Sequence, residues 1–180
     1  MGLEIREDVQ VRTRRLSRSP ELRPAGARLA EEYMRLPDAW RWLGHVPDEL
    51  PPVLAAAVSD YPSPAVPPDG DVLLVTTADE LLAQGLLVRH DAESARLDRI
   101  YVRAPFRRRG IATSLVGELI SLARQLGYHR VLLEVMVART EAVRLYERLG
   151  FRSAEPYATH DVPMQFMGLD LCDLRTSGQE

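Results

Sequence analysis

The stretch Leu97-Asp98-Arg99-Ile100-Tyr101-Val102-Arg103-Ala104-Pro105-Phe106-Arg107-Arg108-Arg109-Gly110-Ile111-Ala112-Thr113 passes from a strand-like run, through an arginine-rich turn, into the start of a helix. Four arginines fall within the seven residues 103–109, and Gly110 and Ala112 stand at the mouth of the helix. The first turn of a helix carries backbone N–H groups with no intrahelical partner and the positive end of the dipole, so this junction suits an anion. Small residues let a phosphate approach the backbone closely, and Thr113 adds a hydroxyl. By their number alone the arginines could equally form a solvated charged face. The order of the surrounding elements decides between the two.

Upstream, Asp71–Thr77, Leu81–Arg89 and Ala95–Arg103 read as three strands joined by short turns at 78–80 and 90–94, an antiparallel meander. Downstream, Ile111, Leu115, Leu119, Leu122 and Leu126 form one stripe of a helix that Gly127 closes. The nearly unbroken apolar run Val131–Val137 follows, so strand, helix and strand make a crossover with two parallel strands covered on both faces. A helix over Thr140–Leu149, capped by Thr140 and stopped by Gly150, precedes two closing strands at Phe151–Ala154 and Met164–Leu171.

The N-terminal third predicts a strand within Val9–Leu16 and a helix over Glu21–Leu36. Leu22, Ala25, Leu29, Tyr33 and Leu36 share that helix's apolar face, with Pro24 in the first turn. A second helix is expected over Asp48–Tyr61, then a proline-rich surface loop to Gly70. The expected fold is α/β (α+β by some schemes): a mixed central sheet of about six to seven strands with helices on both faces.

A chain of 180 residues with 46% apolar side chains can bury one sizeable core, so residues 1–180 are expected to form a single domain. The net charge of −3 excludes a broad polyanion-binding surface and makes nucleic acid an unfavoured partner. No apolar run approaches a membrane span, and the N-terminus matches neither a signal nor a transit peptide, so a cytoplasmic location is expected. The lone Cys172 reads as a buried strand residue. All 23 basic residues are arginine, which cannot serve as a general base. None of His45, His90, His129 and His160 has metal-ligand spacing, so no metal is implied.

The stretch 97–112 resembles the central motif of the GNAT superfamily of acyltransferases, Gln or Arg, two residues, Gly, one residue, Gly or Ala. Arg107, Gly110 and Ala112 fill it. Glu141-Ala142-Val143-Arg144-Leu145-Tyr146-Glu147-Arg148-Leu149-Gly150-Phe151 is similar to the superfamily's late helix, and Pro156-Tyr157 with 166–171 resembles its small-molecule branch. The resemblance is strongest from about Val72 to Phe151, and the best-matched core runs 72–171.

It implies a parallel pair that splays apart, with acetyl-CoA as co-substrate in the gap. Backbone groups of Ile100, Tyr101 and Val102 would pair with the pantetheine arm. The segment Arg107, Arg108, Arg109, Gly110, Ile111, Ala112 and Thr113 would hold the pyrophosphate. Tyr146 matches the tyrosine that protonates the leaving thiolate, with a buried core tyrosine as the alternative. Many members carry a glutamate base where this chain has Arg96; Asp98, two residues on, would pair with that arginine.

Glu134, the one charge in the apolar run, is costly in a core strand. It is either an amine-binding carboxylate or water-positioning base, or a structural hydrogen-bonding group. Arg139, where many members have Asn, would contact coenzyme A phosphates or coat the surface. His160, Trp40 and Trp42 are further acceptor-side candidates, the tryptophans otherwise packing helix ends. The expected activity is acetyl transfer to a primary amine of a small molecule or peptide, by an enzyme that could form a homodimer. A weakly catalytic acyl-CoA sensor is the alternative.

Overall fold

The computed structural model describes residues 10–40 and 45–171. Strand β1 (Arg12–Arg15) pairs antiparallel with β2 (Asp71–Thr76), β2 with β3 (Leu81–Arg89), and β3 with β4 (Ser94–Val102). Strand β5 (Arg130–Met136) then lies parallel to β4 and antiparallel to β7 (Met164–Asp170), whose other edge takes the two-residue β6 (Arg152–Ser153). The sheet is therefore mixed, seven-stranded, in the order β1-β2-β3-β4-β5-β7-β6.

Helix α3 (Ile111–Gln125) covers one face. Its Leu115, Leu119 and Leu122 pack against Leu73, Leu97, Val131 and Leu133 in the larger core cluster. Helix α4 (Thr140–Arg148) adds Tyr146 and partly buried Ala142 and Leu145 to the same cluster. The opposite face buries Val72, Leu74, Leu86 and Val88 beneath Ala30 of α1 (Arg23–Met34), together with Leu16 and Tyr61. Helix α2 (Pro52–Ser59) packs on α1. Period-two alternation in the strands thus feeds two cores, one per face.

Several expectations are corrected. The first strand is only Arg12–Arg15, because Leu16 leaves it to be buried at the start of a 3₁₀ turn; Val9 lies outside the described residues. Helix α2 starts at Pro52, whose ring cannot continue a helix backward but suits its first turn. The proline-rich segment is more than a surface loop, since Tyr61 and Ala65 are each 1% exposed. Tyr61 lies against Gly26 of α1, where a methyl group would stand 2.8 Å from its Cζ. Thr140 does not cap α4: Arg139 holds the N-cap position and makes no side-chain capping bond. Trp40 packs the end of α1 as expected, donating from Nε1 to Met34 O at 2.8 Å. Trp42 and Cys172 lie outside the described residues.

One irregularity interrupts the ladder between β3 and β4. Leu86 faces Asp98 and Gln84 faces Tyr101, so Arg99 and Ile100 both oppose Gly85, a β-bulge. Arg99 takes φ +48, in the left-handed region. A side chain at position 85 would place Cβ 2.7 Å from the terminal carbons of Ile100 and Leu119, so glycine makes the bulge possible.

Candidate active site

Strands β4 and β5 pair over only four positions, Ser94 with Arg130 through Leu97 with Leu133. Beyond them the strands part. Each stays paired on its outer side, Tyr101 and Val102 with Gln84 and Ala83, and Glu134 to Met136 with Phe166 to Met164. Gap-facing backbone groups on 98–102 and 134–136 therefore have no strand partner across the opening.

The arginine-rich turn closes one end of this gap. Arg103 pairs with Glu32 of α1 through both guanidinium edges, Nε to Oε2 at 2.9 Å. Arg107 turns back, donating from Nε to Val102 O at 2.9 Å, with its guanidinium 5.9 Å from the Tyr101 ring centre. Its own N–H goes to Ala104 O at 3.3 Å. Positive φ values at Arg108 (+62) and Gly110 (+79) curl the backbone into α3, whose first hydrogen bond runs from Ser114 N–H to Gly110 O at 3.0 Å. The amides of Ile111, Ala112 and Thr113 precede that ladder and remain as donors for an anion.

The arginine side chains themselves spread outward. Arg108 reaches Glu141 at 3.6 Å with both groups 86% exposed, and Arg109 lines a cavity of about 470 Å³ on the far side of α3, beside Thr13 and Glu118. The backbone thus supplies the anion donors, and the arginines supply field.

Tyr146 of α4 lies in the larger core cluster. It is 7% exposed and meets the Phe151 ring edge-on at 5.8 Å. Burial pushes its hydroxyl well above the ordinary tyrosine range; Tyr33 adds to the rise and Arg139 opposes it. Arg139 does not simply coat the surface. It donates to the Tyr33 hydroxyl at 3.4 Å and lies over that ring, which in turn sits 6.0 Å from Tyr101.

On the face opposite α3, the loop 154–163 brings His160 Nε2 to 2.9 Å from Glu134 Oε2. Tyr157 packs between Phe166 and His90, with ring centres at 4.9 Å from each. Burial raises the Tyr157 hydroxyl, Glu134 and Asp98 add to this, and Arg96 pulls it down. Arg96 and Asp98 form the expected same-face pair at 3.4 Å. Among the described residues no group of three or more His, Cys, Asp or Glu could hold a metal. No helix among them is long and apolar enough to cross a membrane.

Comparison with known proteins adds a family to this geometry. The acetyltransferase (GNAT) family model matches residues 30–151. The chain belongs to that family. Among curated GNAT relatives, an uncharacterised N-acetyltransferase of Schizosaccharomyces pombe is 31% identical over 109 residues, covering 58% of this chain and 66% of that one. The ribosomal protein bS18 alanine N-acetyltransferase of Salmonella typhimurium is 35% identical over 81 residues, 45% of this chain and 55% of its own. The matches span between 28% and 66% of these relatives' lengths.

An acetyltransferase structure from Streptococcus agalactiae superposes with a TM-score of 0.71 at 14% identity, over 89% of this chain and 98% of that one. A GNAT acetyltransferase of Elizabethkingia anophelis with acetyl-CoA bound gives 0.51 at 20% identity, over 57% and 77%. At such identities the shared property is the fold, here the GNAT mixed sheet.

Sequence reasoning singled out Glu134 and His160 separately and missed that they meet. It also missed the bulge at Arg99 and the place of Tyr33 in the gap wall. Gly85 inside a largely apolar strand was the readable trace of the bulge.

Proposed function

We propose that this chain transfers an acetyl group from acetyl-CoA to a primary amine, as a single acyltransferase domain with its core in 72–171. The observation that supports it most is the four-pair β4–β5 ladder, which opens where the free amides of α3 begin. An extended arm with hydrogen-bonding amides suits the gap, and its pyrophosphate suits the turn at 110–113. Acetyl-CoA in the Elizabethkingia GNAT structure is consistent with this ligand.

Within the reading, Glu134 orients His160 through Nε2, which leaves Nδ1 as the acceptor when the ring is neutral. His160 then takes the amine's proton, directly or through one water, in place of the carboxylate that Arg96 displaces. The amine nitrogen forms its bond to the acetyl carbon, the C–S bond breaks, and Tyr146 gives its hydroxyl proton to the sulfur. Burial suits Tyr146 to this role because it keeps the hydroxyl protonated. Ile100 and Tyr101 offer the pantetheine arm their gap-side backbone groups, while Val102 O already accepts from Arg107.

Calorimetry with acetyl-CoA, followed by a thiol-release assay over an amine panel, tests the proposal. Binding with a Kd in the micromolar range and amine-dependent thiol release are expected. No binding would end the reading. Binding with no release for any amine would favour an acyl-CoA sensor, the reading that Arg96 at the usual base position supports.

A further inference from the structure

Four buried side-chain polar atoms have no partner among the described residues: Gln84 Nε2, Arg96 Nε, Arg99 NH1 and the Tyr157 hydroxyl. Three are obligate donors and the fourth can donate. Buried donors are as a rule paired, so unmatched ones that share one face of the sheet suit a guest that brings acceptors.

They are not scattered. The β3–β4 register sets Val88 opposite Arg96, Leu86 opposite Asp98 and Gln84 opposite Tyr101, and Val88 and Leu86 belong to the core on the α1 face. The bulge then places Arg99 next in line. Burial raises the Tyr61 hydroxyl above all, the Arg99 charge lowers it and the Asp71 charge raises it. Tyr61 in turn donates to Gln84 Oε1 at 3.3 Å, which fixes the amide and leaves Nε2 as the free end. Gln84 is fully buried, at 0% exposure.

Charge points the same way. Arg96 is matched by Asp98, whereas Arg99 has no ion pair among the described residues. A guest carrying only a cationic amine would meet this guanidinium unfavourably. A guest with a carboxylate would answer both Arg99 and the Gln84 amide, while Glu134 and His160 remain for its amine.

Resting on the acetyltransferase reading above, we propose that the acceptor is an amine that also carries a carboxylate, an amino-acid-like molecule, with Arg99 and Gln84 binding the carboxylate. Both are specificity-determining residues, and the bulge is the device that positions the arginine.

The experiment compares matched pairs that differ only by an α-carboxylate, such as tyrosine with tyramine and histidine with histamine. Thiol release from acetyl-CoA is followed with the unaltered chain, Arg99→Gln and Gln84→Leu. The carboxylate-bearing member is expected to have the higher kcat/KM by at least about tenfold. A charged hydrogen bond of about 1.5–3 kcal/mol corresponds to roughly 10- to 150-fold. Arg99→Gln should erase the preference by raising KM for the carboxylate-bearing member of each pair. Gln84→Leu should lower the preference as well, but it also takes the acceptor from the buried Tyr61 hydroxyl and so should lower Tm, which makes Arg99→Gln, with its loss of preference through KM, the deciding variant.

Equal rates across every pair, or a preference that survives Arg99→Gln, would overturn the proposal, as would acetyl-CoA binding with no turnover of any pair. Failure of the unaltered chain to bind acetyl-CoA would overturn the acetyltransferase reading itself, and this proposal with it.

Discussion

Under the proposed mechanism Tyr146 has two duties that one substitution can separate. Its ring fills space against Phe151, and its hydroxyl, raised by burial, holds a proton at neutral pH. Tyr146→Phe keeps the first duty and removes the second. It should lower kcat by about 10²–10⁴, the usual span for a general acid, with Tm and the acetyl-CoA Kd little changed. A stopped thiol-release assay checks this, and an unchanged kcat would remove Tyr146 from the chemistry. Tyr146 became a candidate through the resemblance of 141–151 to the family's late helix. Glu134 was legible as a lone charge in an apolar run. Its partner His160 lies 26 positions away in a loop, where no periodicity announces direction.

At the scale of elements, Gly26 shows how α1 and the proline-rich segment hold each other. Alanine there would gain about 1 kcal/mol of helix propensity. It would also set a methyl 2.8 Å from Cζ of a Tyr61 ring that is 1% exposed and has no room to withdraw. Overpacking of this kind costs about 1–3 kcal/mol, so the clash wins. Gly26→Ala should lower Tm by roughly 2–4 °C, the shift about 1 kcal/mol gives in a domain of this size, as calorimetric melting would show. Regular elements were read well from the sequence, β3 to the residue, since a largely apolar run bounded by turn residues marks Leu81–Arg89. The bulge was not. Arginine is an unexpected occupant of φ +48, and only the opposing Gly85 hints at it.

Across the whole molecule, burial raises the hydroxyls of Tyr61, Tyr146 and Tyr157. A group whose folded pKa lies above its unfolded value stabilises fully below the unfolded value and loses that contribution as pH rises. The unfolded chain's tyrosines ionise near pH 10 while the folded chain's stay neutral, so stability should fall progressively above about pH 10. Melting curves from about pH 8 to 11 should show this, with a shallower alkaline slope for Tyr61→Phe. The order of the central strands was legible because crossover handedness and short turns leave few topologies. How far the parallel pair stays zipped was not, since the separation depends on what lies between the strands.

That separation has a consequence for the sheet as an object. Unpaired strand edges normally occur at a sheet's margins, where they invite a neighbouring chain. Here two bare edges face each other inside the sheet, between β4 and β5. A slot so placed is hidden from any second polypeptide broad enough to carry side chains on both faces. A thin, extended guest with donors and acceptors along both sides would complete the sheet there as its missing strand.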